Sequence, residues 1–170
     1  MMQRLKSILV LALLAVVGCE QPAPGGYDFS RQQADAVRAL LDEEPGRQLL
    51  TASDNQSPRL ADQQESEPGY EPYFATGDFD GNDTEDFIVA VQEGEAYDLY
   101  LFRAAEDGYH PASWFVGMEW LPEAGLFVEE ADRRSGDMIG VGSFFSDDTI
   151  WFAWNEDVQE LEMLHAETEE

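Results

Sequence analysis

Phe87, Ile88, Val89, Ala90 and Val91 follow one another without a polar residue between them. In a strand successive side chains point to opposite sides, so this run is apolar on both faces and belongs in the middle of a sheet. The segment that follows, AYDLYLFR, puts Tyr97, Leu99 and Leu101 on one face, and QEGE between the two makes a hairpin turn. Further strands are expected at Gly125 to Glu130, Met138 to Phe145, Thr149 to Asn155 and Val158 to Leu164. The last two form a closing hairpin through Asn155, Glu156 and Asp157, with Trp151 and Trp154 on opposite faces.

Upstream of the strands, FSRQQADAVRALLDEEPG reads as a helix. Ser30 caps it with Gln33 three residues on, Ala34, Val37, Leu40 and Leu41 form one apolar stripe, and Pro45 and Gly46 stop it. Arg47 to Pro72 shows neither period and is expected to be a surface loop. The fold class that follows is α+β, with an N-terminal helix packed on a mainly antiparallel, meander-like β-sheet. With 170 residues, 44% apolar and 12% aromatic, the chain has enough material for one core, assigned to residues 28–170.

The first residues are set apart by MMQRLKSILVLALLAVVGC: a basic start at Arg4 and Lys6, then an apolar run from Ile8 to Val17 too short to span a bilayer. The run ends in VVGC, and Cys19 is the only cysteine. A small residue directly before a lone cysteine at the end of such a segment resembles a bacterial lipobox, the motif of lipoproteins whose cysteine becomes the acylated first residue. The resemblance implies a signal peptide at 1–18, palmitate-type lipidation of Cys19, and a membrane partner reached through that lipid. Glu20 stands where lipoproteins retained in the inner membrane carry Asp, which implies the outer membrane. Residues 19–27, rich in Pro and Gly, are the expected tether. Without a second cysteine the remaining domain has no intrachain disulfide, so packing or bound ions must stabilise it.

The net charge is -27, and loss of Arg4 and Lys6 would take it to -29. A polyanion repels nucleic acid and anionic head groups, so nucleic acid is excluded as a partner. The acids run from Glu20 to Glu170 without forming one block, which fits a solvated surface better than a single face for a basic partner.

One stretch concentrates charge against the edge of the core. From Gly77 to Asp86, five acids, one Asn and two glycines precede the apolar strand. Calcium takes six to eight oxygens from carboxylates, amides and backbone carbonyls on a tightly wound loop. The side chains of Asp78, Asp80, Asn82 and Asp86, with the backbone carbonyl of Thr84, can supply them, and Gly81 permits the curl. The EF-hand pattern fails, because its sixth and twelfth positions are Asp83 and Val89 here in place of Gly and Glu. DFDGNDTED more closely resembles the Asp-x-Asp-Gly-Asp-Gly-x-x-Asp loop of FG-GAP and VCBS-type repeats, whose calcium loop opens onto a β-strand. The resemblance spans about seventeen residues and implies Ca2+ held at 78–86 in one repeat-like hairpin. Asn82 departs from it by replacing an Asp, and Asp83 by replacing a Gly of positive φ, a conformation Asp tolerates. The other reading is a metal-free acidic turn in which Asx side chains cap backbone amides. A calcium site of this kind has affinity of ~0.1 to 1 mM and orders a loop without signalling.

No nucleophile motif, P-loop or dinucleotide fingerprint is present, and His110 and His165 are isolated. Most aromatic residues are expected in the core, with HPASWFVGMEWLP, carrying Trp114 and Trp120, as the exposed exception. Two readings of function follow. The first is a lipid-anchored, non-enzymatic envelope protein with a calcium-stabilised binding or assembly domain, its partner an envelope protein or glycan. The second is a periplasm-facing hydrolase of envelope polysaccharide that uses paired carboxylates.

Overall fold

A computed structural model describes residues 22–130 and 136–164. Cys19 and His165 lie outside these described residues. Among the described residues the chain forms two α-helices and nine strands, arranged in two antiparallel sheets, so the class is broadly α+β. No described helix is long and apolar enough to cross a membrane.

Helix α1, Arg31–Glu43, begins with a capping box: Gln33 N–H donates to Ser30 Oγ at 3.2 Å, and Ser30 N–H donates to Gln33 Oε1 at 2.8 Å. These two bonds satisfy amides that no helical carbonyl reaches. Ala34, Val37 and Leu40 are buried along one stripe, with Leu41 at its margin.

The first sheet is built around β3, Asp86–Glu93. One edge of β3 pairs with β4, Ala96–Ala105; the other is shared by β2, Phe74–Gly77, along its first half and β1, Arg47–Leu49, along its second. Strand β5, Gly108–Phe115, completes the sheet beyond β4. The unbroken apolar run of β3 serves two cores. Phe87, Val89 and Val91 join a cluster that holds Ala34, Val37 and Leu40 of α1, with Tyr100 and Phe102 of β4. Ile88 and Ala90 join a larger cluster with Leu99 and Leu101 on the other side.

That larger cluster is shared with the second sheet, which supplies Leu126, Ile139, Val141, Phe152 and Leu161. This sheet is a simple meander of β6, Gly125–Glu129; β7, Met138–Gly142; β8, Thr149–Asn155; and β9, Glu160–Met163. The single sheet expected from the strand pattern is therefore two. The division falls at 116–124, where Gly117 takes φ 74° and Pro122 enters a 3-10 turn, so the chain leaves one sheet before starting the next. The stretch 47–72 also holds more than a loop: β1 lies there, and so does α2, Leu60–Ser66. Each is too short for a period to declare itself.

Candidate metal centre

Antiparallel pairing sets Gly77 opposite Asp86, so residues 78–85 are the hairpin connection between β2 and β3. Phe79 is fully buried in the larger core and pins the loop down. Asp78 organises the backbone around it: Oδ1 accepts Asn82 N–H and Oδ2 accepts Asp83 N–H, each at 2.9 Å. Gly81 has φ 71° and Asp83 φ 63°, the left-handed conformations that let consecutive amides turn inward.

The second sheet closes the loop from outside. Asp137 N–H donates to Asp78 O at 2.7 Å, while Asp78 N–H donates to Asp137 Oδ2 at 2.9 Å. A Cβ on Gly136, which has φ 94°, would lie 2.6 Å from Phe79 O, so only glycine lets the second sheet approach this closely.

Asp78, Asp80 and Asp86 each offer a carboxylate oxygen, and these oxygens lie within 4.8 Å of one another. Such a cluster of three aspartates could hold a metal ion. Two of them carry an unusual deficit. Asp86 has no exposed surface, and its Oδ1 accepts Ala104 N–H at 2.8 Å. The Asp80 side chain is 2% exposed, and its Oδ2 accepts two bonds from Arg103, at 2.8 Å from Nε and 2.5 Å from Nη2. The remaining oxygens, Asp80 Oδ1 and Asp86 Oδ2, are buried with no donor among the described residues. Burying a carboxylate oxygen unpaired costs several kcal/mol unless a cation or a proton compensates.

The Asp86 carboxyl shows that cost. Burial pushes its pKa up to about 6; the Ala104 amide opposes this, the Asp80 charge adds to it, Arg103 again opposes it, and Asp78 adds further. Arg103 is the one cation at the cluster among the described residues, and its guanidinium also lies 4.5 Å from the centre of the Trp154 ring of β8. Three carboxylates against one guanidinium leave a net charge of about -2, the complement of a divalent ion.

The structure thus brings together Asp78, Asp80 and Asp86. Asn82 and Thr84 are exposed on the loop, and Asn82 Oδ1 accepts Thr84 N–H at 2.8 Å. Asp78 and Asn82 therefore do cap amides, as Asx turns do, alongside the cluster. Sequence reading passed over Arg103 of β4 and Asp137 just before β7, which reach the loop from 23 and 59 residues away. The one local hint was Arg103 itself, the only cation in β4. His110 pairs with Asp107 at 2.8 Å on the surface, Trp114 packs edge-on against Phe152 at 4.6 Å, and Trp120 is 41% exposed. Comparison with protein-family models, with curated proteins and with solved structures finds no match for this chain.

Proposed function

We propose that this chain is a lipid-anchored bacterial envelope protein, attached to the outer membrane through an acylated Cys19. Its non-enzymatic domain, with α1 covering the outer face of the first sheet, binds one calcium ion and serves in binding or assembly. Asp78, Asp80 and Asp86 would hold the ion, with Asn82 and the Thr84 carbonyl completing an oxygen shell of FG-GAP or VCBS type. The observation that carries the reading is the pair of buried carboxylate oxygens without donors, Asp80 Oδ1 and Asp86 Oδ2, inside a three-aspartate cluster. All-oxygen, carboxylate-rich donors favour a hard divalent cation over zinc or copper. The same burial weighs against the hydrolase reading: Asp86 has no exposed surface and Asp80 is held by Arg103, so neither is free to meet a polysaccharide.

Thermal unfolding of the metal-stripped protein at fixed ionic strength, with calcium titrated against magnesium, tests the metal. Calcium at ten times its dissociation constant adds ~1.4 kcal/mol, roughly 3 to 6 degrees for a domain of this size. The shift is expected to saturate, to exceed that given by magnesium, and to vanish in Asp86→Asn. An equal response to magnesium, or none, reduces the loop to an acidic turn. Mass spectrometry of the membrane fraction tests the anchor: the N-terminal peptide should begin at Cys19 with added acyl mass, and Cys19→Ser should abolish it.

A further inference from the structure

Two consecutive residues of β4 each take one oxygen from one of the two buried acids. Arg103 donates to Asp80 Oδ2 from Nε at 2.8 Å and from Nη2 at 2.5 Å, and Ala104 N–H donates to Asp86 Oδ1 at 2.8 Å. The other two oxygens, Asp80 Oδ1 and Asp86 Oδ2, are the buried pair without donors among the described residues. A guanidinium paired with a carboxylate commonly spreads two parallel bonds over both oxygens. Here both bonds go to a single oxygen, so half of the Asp80 carboxylate stays uncommitted although the side chain is 2% exposed.

The grip on Asp80 is fixed from the second sheet. The Arg103 guanidinium lies 4.5 Å from the centre of the Trp154 ring, so β8 holds the group that holds Asp80. A lysine could supply the same charge but neither the two bonds nor the flat face against the indole.

Arg103 therefore acts in two separable ways. Fixing one oxygen of Asp80 orients the carboxylate, which helps every cation alike. Placing a positive charge beside the cluster opposes each cation in proportion to its own charge. With three carboxylates and one guanidinium, the cluster carries a charge of about -2. Without the guanidinium it would carry about -3.

We propose that Arg103 is the specificity-determining residue of this site: held between Asp80 and Trp154, it keeps the cluster near -2 and so matches it to divalent cations, and without it the preference moves toward ions of higher charge. This rests on the metal reading above and goes beyond it by naming the residue that selects the charge of the ion.

Calcium and terbium(III) are close in radius and both prefer oxygen, so the ratio of their affinities isolates charge. The metal-stripped protein is titrated with terbium, read by tryptophan-sensitised luminescence, and with calcium as competitor, in the wild type, Arg103→Gln and Arg103→Lys. The Arg103 side chain is 36% exposed, so water screens part of its charge, and Arg103→Gln is expected to raise the terbium-to-calcium affinity ratio about tenfold. Arg103→Lys keeps the charge and loses the fork, so both affinities should fall together with the ratio near that of the wild type. An unchanged ratio in Arg103→Gln, or an equal rise in Arg103→Lys, overturns the proposal, while calcium binding to the wild type spares the metal reading. No binding of either ion to the wild type sinks both. Should Arg103→Gln fail to fold with Asp80 unanswered, Asp80→Asn is compared with the double variant Asp80→Asn, Arg103→Gln, again one charge apart but with no buried carboxylate at position 80. The ratio should rise there by the same factor, and a constant ratio overturns the proposal.

Discussion

The two sheets bury themselves differently. The first has apolar residues on both faces of its central strand, serving one core shared with α1 and another shared with the second sheet. The second sheet contributes to the larger core from one face, and its last strand, Glu160–Met163, buries only Leu161. A strand buried on both sides loses apolar contact in two directions when it is damaged, whereas an outer strand loses it in one. The first sheet is therefore the scaffold, and the second is held to it by the shared core and by the acidic loop. At that junction sit Arg103 with Asp80 and Trp154, and Asp78 with Asp137.

The largest expected effect separates the two sheets directly. Phe102 has no exposed surface and stacks on Phe87 at 4.4 Å, so Phe102→Ala should cost ~3 to 5 kcal/mol in urea unfolding followed by circular dichroism. Leu161, on the outermost strand of the second sheet and 8% exposed, should cost only about 2 kcal/mol when cut to alanine, because one side can relax toward solvent. Equal losses would break the ranking of scaffold over dependent sheet.

Next comes the junction's response to acid. The pKa of Asp86 is about 6 in the fold, against ~3.9 for an unfolded aspartate, so the folded chain holds this proton more tightly. The stabilisation from that proton is complete below pH ~4 and is lost as pH rises through about 6. For the metal-stripped protein it is on the order of 3 kcal/mol. Acid also relieves repulsion throughout a chain at -27, so the quantity to read is the difference between the wild type and Asp86→Asn. That difference should vary between pH 4 and 7 without metal and flatten with saturating calcium, which keeps the carboxylate ionised. A flat difference without metal would mean that Asp86 is better solvated than its burial implies.

A smaller effect is expected where the sheets touch by backbone alone. Gly136→Ala puts a Cβ against Phe79 O at a residue with φ 94°, and should cost ~1 to 3 kcal/mol, with Trp151 and Trp154 fluorescence changing before the first sheet unfolds. A single coincident transition of full amplitude would show the sheets to be one cooperative unit despite their different burial.

The scaffold was the more legible part of the chain, for a physical reason. Its signals are local: the apolar run of β3, the Tyr97, Leu99, Leu101 alternation, and the Ser30 and Gln33 cap all lie within a few residues. The same locality exposed Asp78, Asp80 and Asp86, because a hairpin loop gathers near neighbours. What decides the surroundings of those acids is remote, since Arg103 arrives through the pairing of β3 with β4 and Asp137 from the segment before β7, which no short window contains. The division into two sheets was hidden likewise. It depends on which strands pair, and a strand's period reports its faces and not its partners.

The smallest effect tests the start of α1. Ser30 Oγ and Gln33 Oε1 satisfy each other's backbone amides at the start of α1, and removing a serine cap costs ~1 kcal/mol. Ser30→Ala frays only the first turn, so its effect should travel along the contacts of α1. The buried cluster that holds Ala34, Val37 and Leu40 of α1 also holds Phe87, Val89 and Val91 of β3, while Ile88 and Ala90 belong to the other core. Amide exchange in β3 and β4 should therefore quicken relative to β6–β9, whose rates should follow only the global change of about 1 kcal/mol. If the second sheet quickened as much as the first, loosening one face of β3 would have reached the opposite core. The first sheet would then transmit disturbance between its two faces, and its double burial would be coupling the two cores as well as stabilising them.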